Sequence, residues 1–134
     1  MKKLSMIEGI GEAYNEKLKD AGINSVEELL EACLTKKSRS ELAEKTGISE
    51  KLILKWTNHA DLFRIKGIGG QYSELLEAAG VDTVPELANR KPDNLLAKME
   101  SINQEKKLIK AMPFKKQIVK WIEQAGNLPR KIQY

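Results

Sequence analysis

The sequence predicts an all-α protein built from two similar halves, and three observations carry that expectation. Apolar residues recur at three- and four-residue spacing along nearly the whole chain, with no convincing alternating strand pattern. The stretch from Leu4 to Ile23 is repeated from Leu62 to Val81 at a shift of 58, without a gap. Ile7, Gly9, Ile10, Gly11 and Tyr14 match Ile65, Gly67, Ile68, Gly69 and Tyr72, and Leu18, Ala21 and Gly22 match Leu76, Ala79 and Gly80. Helix start and stop residues then fall in the same order in both halves.

Taken in order, a short first helix holds Leu4 and Ile7 and ends at Gly9. A second runs from about Glu12 to Ala21 with Tyr14, Leu18 and Ala21 inward, and Gly22 stops it. Ser25 with Glu28 three residues on reads as a capping box opening a helix with Val26, Leu29, Leu30 and Cys33. Thr35 to Ser40 reads as a polar linker, with Ser40 capping a helix over Glu41–Thr46 that Gly47 breaks. Ser49 caps a longer helix to about His59, carrying Leu52, Ile53, Trp56 and Ala60 on one face.

The second half predicts a helix over Gln71–Ala79 stopped by Gly80, then a helix capped by Thr83 with Pro85 in its first turn, where a missing N–H costs little. Asn89 to Pro92 is a loop, Asp93 caps Asn94–Met99, and Ser101 to Glu105 takes the part of Gly47 to Glu50. Trp56 and Trp121 lie 65 apart rather than 58, so the second copy holds about seven extra residues, placed near Met112 and Pro113, where proline breaks or kinks a helix. The basic end, Leu128 to Tyr134, is expected to fray.

Gly-Ile-Gly between two helical patterns resembles the helix-hairpin-helix, whose signature is an apolar residue, a Gly-apolar-Gly turn, and a small or aromatic residue three positions on. The resemblance implies two tandem five-helix repeats of SAM-domain-like character, residues 1–61 and 62–134, and the lack of a flexible Gly/Ser linker between them predicts that they pack as one compact unit. It also implies a phosphate site. Glycine adopts the angles of a tight turn cheaply, and the unpaired N–H groups and dipole at the next helix start suit an anion. In that family the anion is a nucleic-acid phosphate, bound without reading sequence. From Ile53 through the second turn to Leu87 the chain also resembles a small bacterial family of tandem helix-hairpin-helix proteins of uncharacterised role, which implies a fold but no activity.

The flanks separate the two turns. Glu8, Glu12 and Glu16 surround the first and repel phosphate by the Coulomb term that attracts it to lysine. The second, Arg64-Ile-Lys66-Gly-Ile-Gly-Gly70-Gln71, is basic and free of carboxylate, although Glu74 and Glu77 follow. The candidate nucleic-acid-binding residues are therefore Lys66, Gly67, Ile68, Gly69, Gly70 and Gln71, with Gly9, Ile10, Gly11, Arg64, Lys115 and Lys116 as weaker candidates.

Composition permits this without demanding it. The chain has 134 residues, a net charge of +4 and a pI near 9.1. Residues 1–64 balance 11 basic against 11 acidic side chains, residues 65–134 carry 12 against 8, and residues 98–134 carry 9 against 3, so attraction for phosphate is greatest toward the C-terminal end. The lysines at 106, 107, 110, 115, 116 and 120 fit a phosphate-contacting face, or simply a solvated helix face. Glu41 to Trp56 resembles a helix-turn-helix with Ser49, Glu50, Lys51 and Lys55 exposed; two core helices joined at Gly47 account for it as well. Trp56 and Trp121 offer base stacking or, given their apolar faces, core packing.

Catalysis is not expected. Glycosylases with this hairpin place a catalytic lysine just after the turn, where this chain has Gly70-Gln71 and Ala13-Tyr14. His59 is the one histidine and Cys33 the one cysteine, so no disulfide within the chain, Cys-based zinc site or nucleophile–base pair is evident. No cofactor, metal or small-molecule substrate is implied. The N-terminus lacks the apolar run of a signal peptide, and no run approaches about 18 apolar residues, so a soluble cytoplasmic protein without membrane contact is expected. The functional expectation is non-catalytic, sequence-independent binding of nucleic acid, DNA before RNA. The alternative is a protein-interaction or scaffold domain that uses the same hairpins without nucleic acid.

Overall fold

The apolar periodicity is realised as helices throughout the computed structural model, which describes residues 1–134. A 3₁₀ turn, Leu4–Met6, is followed by α1 (Glu12–Asp20), α2 (Val26–Ala32), α3 (Lys36–Thr46), α4 (Glu50–Leu62), α5 (Gly70–Ala78), α6 (Val84–Ala88), α7 (Pro92–Lys106) and α8 (Lys115–Gly126). There are no strands. No helix is long and apolar enough to cross a membrane. The chain divides into two compact units, Met1–Asp61 with Lys131–Tyr134, and Leu62–Arg130.

The first unit closes on Leu18, Leu29, Ile53 and Trp56, each no more than 1% exposed. α1 ends in a Schellman motif: Ile23 N–H donates to Leu18 O at 2.9 Å and Gly22 N–H to Lys19 O at 2.9 Å. Ser25 caps α2 by accepting from Glu28 N–H at 3.1 Å, while the Glu28 carboxylate accepts from Asn24 N–H at 2.8 Å, one residue earlier than in a standard box. Cys33 is fully buried. Burial pushes its thiol pKa up, against the lowering influence of a Thr57 hydrogen bond and the Arg39 charge, and the group is inert as a nucleophile.

Two readings of this half are corrected. Lys36 to Ser40 is helix, not linker. Thr35 is the N-cap, accepting from Ser38 N–H at 3.1 Å. The polar look of the run misleads because Arg39 is 5% exposed, donating from Nη1 to Cys33 O and from Nη2 to Gln133 O, both at 2.9 Å. The chain end does not fray either. Ile132 is 2% exposed, Gln133 N–H donates to Leu34 O at 2.8 Å, and Tyr134 Oη donates to Asn58 Oδ1 at 2.9 Å. These last residues belong with the first unit rather than with residues 62–130.

In the second unit α8 packs on α6 and α7, and α5 on α7, around Leu75, Leu76, Leu87, Met99 and Ile118. α5 ends like α1, with Val81 N–H on Leu76 O at 2.8 Å and Gly80 N–H on Glu77 O at 2.9 Å. Thr83 stands at the N-cap of α6 but its side chain makes no capping bond, and Asp93 lies inside the first turn of α7 rather than before it. The larger correction is α7 itself. Ser101 does not interrupt it, because only glycine stops a helix in a left-handed residue at little cost. The helix continues to Lys106 and is capped by Lys107, the one non-glycine residue with positive φ, at 51°.

This accounts for the seven extra residues. α7 runs two residues past the position matching Thr46, and the following connection, Lys107–Phe114, has eight residues where Gly47–Ser49 has three. Asn103 pins that connection by both main-chain polar groups of one residue, with Oδ1 accepting from Ile109 N–H at 3.0 Å and Nδ2 donating to Ile109 O at 3.1 Å. Pro113 lies in it, and α8 begins two residues later.

Candidate functional site

The turns before α1 and α5 share one backbone geometry. Ile10 N–H donates to Ile7 O, and Ile68 N–H to Ile65 O, both at 3.2 Å. Gly9 and Gly67 have φ of 96° and 99°. Gly11 and Gly69 are the N-caps, in extended conformation. Each turn rests on a tryptophan that meets the repeated tyrosine. Tyr14 and Trp56 ring centroids are 5.0 Å apart at 65°, and those of Tyr72 and Trp121 are 5.2 Å apart at 56°. Both tryptophans are core residues, 1% and 2% exposed, and neither offers a face to a base.

The two glycines of each turn do different work. A Cβ on Gly67 would lie 3.1 Å from Trp121 Nε1, on a backbone that L-residues rarely adopt. A Cβ on Gly69 would meet nothing within 4 Å, at a φ of −114° open to any residue. Gly67 is therefore required by the fold, and Gly69 is not. Gly67→Ala is expected to destabilise the second unit by about 1–3 kcal/mol. Gly69→Ala should stay within about 0.5 kcal/mol, because a poorer N-cap is offset by a less flexible unfolded chain. Denaturant melts of the two variants check the contrast.

The sequence-derived candidates separate accordingly. Ile68 is 3% exposed and its N–H is already bonded, so it anchors the turn in the core. Lys66 exposes its side chain, but its N–H donates to Gln124 Oε1 at 3.0 Å and its carbonyl accepts from Gln124 Nε2 at 3.4 Å. Arg64 Nη2 donates to Pro129 O at 2.6 Å, which turns the guanidinium toward its own chain. Lys115 pairs with Asp93 at 2.8 Å, and Lys116 is exposed. Gly67, Gly69, Gly70 and Gln71 come together, with Tyr72, along a groove of about 580 Å³.

Its other wall is Lys110 and Ala111, from the extended connection of the second unit. Sequence reasoning placed Lys110 only in a general lysine run. The signal that could have found it is the seven-residue length excess, which falls beside the basic turn and not the acidic one. No side chain caps α5, so the first-turn N–H groups of Gly70, Gln71 and Tyr72 have no intrahelical acceptor, and no acidic residue lies in that turn. An anion at this helix start meets N–H donors, the positive end of the helix dipole and an ammonium.

Before α1 the first turn instead carries Glu12, with Glu8 and Glu16 also exposed. The groove of about 320 Å³ in the first unit lies at the other end of α1, beside Gly22, Glu28 and Glu41, where the dipole is negative and disfavours an anion. No group of three or more His, Cys, Asp or Glu is placed to hold a metal ion.

No curated protein and no solved structure matches the chain. A family model described as a domain of unknown function (DUF4332) matches residues 8–128, and the chain belongs to that family.

Proposed function

We propose that the protein is a non-catalytic nucleic-acid-binding module with two tandem helix-hairpin-helix elements, the second of which holds a backbone phosphate without reading sequence. The observation that carries this reading is the groove at the second turn. There a glycine the fold does not require, the uncapped first turn of α5 and Lys110 converge. The matched torsions and the matched tryptophan–tyrosine packing of the two turns support the tandem reading. Lys66 and Lys116 add exposed positive charge, and the first turn, ringed by glutamates, serves packing in this scheme.

The test is titration of fluorescent duplex and single-stranded oligonucleotides across a salt series. Affinity should fall with salt in proportion to the phosphates neutralised. Gly69→Asp separates binding from folding. Aspartate is the better N-cap and suits the helix dipole, so stability should hold or rise by up to about 1 kcal/mol. Its carboxylate opposes a phosphate at contact distance by about 1–4 kcal/mol, so affinity should drop at least about fivefold. Binding unchanged in Gly69→Asp would remove the site, and no binding at low salt would remove the function.

A further inference from the structure

Phe114 has no structural role for its ring. It is 78% exposed in a chain whose other tryptophan and phenylalanine side chains are no more than 2% exposed. It stands at the N-cap of α8, where it contributes only main-chain atoms. Its N–H donates to Gln117 Oε1 at 2.8 Å, and its carbonyl accepts from Gln117 N–H at 2.9 Å and Ile118 N–H at 3.2 Å. Serine, threonine, aspartate or asparagine would serve that position better, and a large apolar side chain left in water forfeits its burial.

The surroundings of the ring are basic. Between Glu105 and Glu123 the chain has six lysines and no acidic residue. Lys110 lines the groove, Lys116 is exposed two residues beyond Phe114, and Lys115 is offset by Asp93. Phe114 follows the groove residue Ala111 by three positions, so their Cα atoms are at most about 11 Å apart. Phe114 therefore stands on the same connection that lines the groove, the direction in which a strand held at the Gly69–Gln71 turn would run to reach the ring. In a duplex the base faces are covered by their neighbours, whereas an unpaired base offers a free face to an aromatic platform.

Resting on the phosphate reading of the groove, we propose that Phe114 is a stacking platform for an unpaired base and that the ligand is single-stranded nucleic acid. Its source, DNA or RNA, is separated by parallel probes. Oligothymidylate and oligouridylate of about 16 nucleotides and a duplex of equal length are titrated against the full chain, Phe114→Ala, Phe114→Trp and Gly69→Asp. The exposed ring makes Phe114→Ala neutral for folding. The expected result is a loss of roughly 5- to 100-fold on a single strand in Phe114→Ala, recovery in Phe114→Trp, and unchanged duplex affinity. Equal affinity of Phe114→Ala and wild type for the single strands, with Gly69→Asp weakened, overturns the platform and keeps the groove. Equal loss on duplex and single strand also overturns it. Absence of all nucleic-acid binding in wild type overturns both. Binding to anionic phospholipid vesicles that depends on Phe114, with single-strand affinity independent of it, reassigns the surface to a membrane.

Discussion

Trp121→Ala is expected to cost the second unit about 3–5 kcal/mol, a large share of the stability of a domain this small. The side chain is 2% exposed and belongs to the unit's core. It meets Tyr72 at 5.2 Å, and its Nε1 lies 3.1 Å from where a Cβ on Gly67 would stand. Truncation opens a cavity under the turn that shapes the groove, so the phosphate affinity proposed for it should fall with stability. Trp121→Phe keeps much of the volume and should cost less. The two tryptophans fall one in each unit, so fluorescence-monitored denaturation of Trp56→Phe reports the second unit and that of Trp121→Phe the first. A loss below about 1 kcal/mol for Trp121→Ala, measured against Trp121→Phe by circular dichroism, would mean the core reorganises around the gap.

Arg39→Ala is expected to destabilise the first unit by about 2–4 kcal/mol, since hydrogen bonds from a charged donor are each worth about 1.5–3 kcal/mol and stranded acceptors add their desolvation. The guanidinium binds two carbonyls, of Cys33 and Gln133, and lies 5.7 Å from the Tyr134 ring. Arg39→Lys cannot reproduce the fork and should recover only part of the loss. In a Trp121→Phe background the Trp56 emission follows this unfolding directly. A cost under about 0.5 kcal/mol, the range of ordinary surface substitutions, would place Arg39 among the solvated charges of its helix.

What the sequence made legible follows from what is local. Helix type, the glycine stops at Gly22, Gly47 and Gly80, and the caps at Ser25 and Ser49 depend on near neighbours, and each is in place. Arg39 was misjudged because its acceptor on Gln133 lies 94 residues away. The run through Ser101 was misjudged because alignment to the first half supplied a break that the residue itself cannot make. At the candidate site, the glycine-rich turn and its basic flank were readable, but the split between a glycine held by Trp121 and one facing open space was not. That difference depends on a tryptophan 54 positions from Gly67 in sequence. Lys110 was hidden for the same reason, and Phe114, which in sequence reads as one more apolar residue of the final helices, is exposed at the start of α8, since an insertion announces its length and not the surface it builds.

The placement of Lys131–Tyr134 has a consequence for synthesis. The first unit is discontinuous: its final strap is translated after every residue of the second. While the ribosome is still making residues 62–130, Leu34 O lacks its Gln133 donor and the space for Ile132 is open. The N-terminal unit therefore cannot make these last contacts until residues 131–134 have been made. Fusing a bulky partner directly after Tyr134 would burden the N-terminal unit and leave the contiguous second unit able to mature alone.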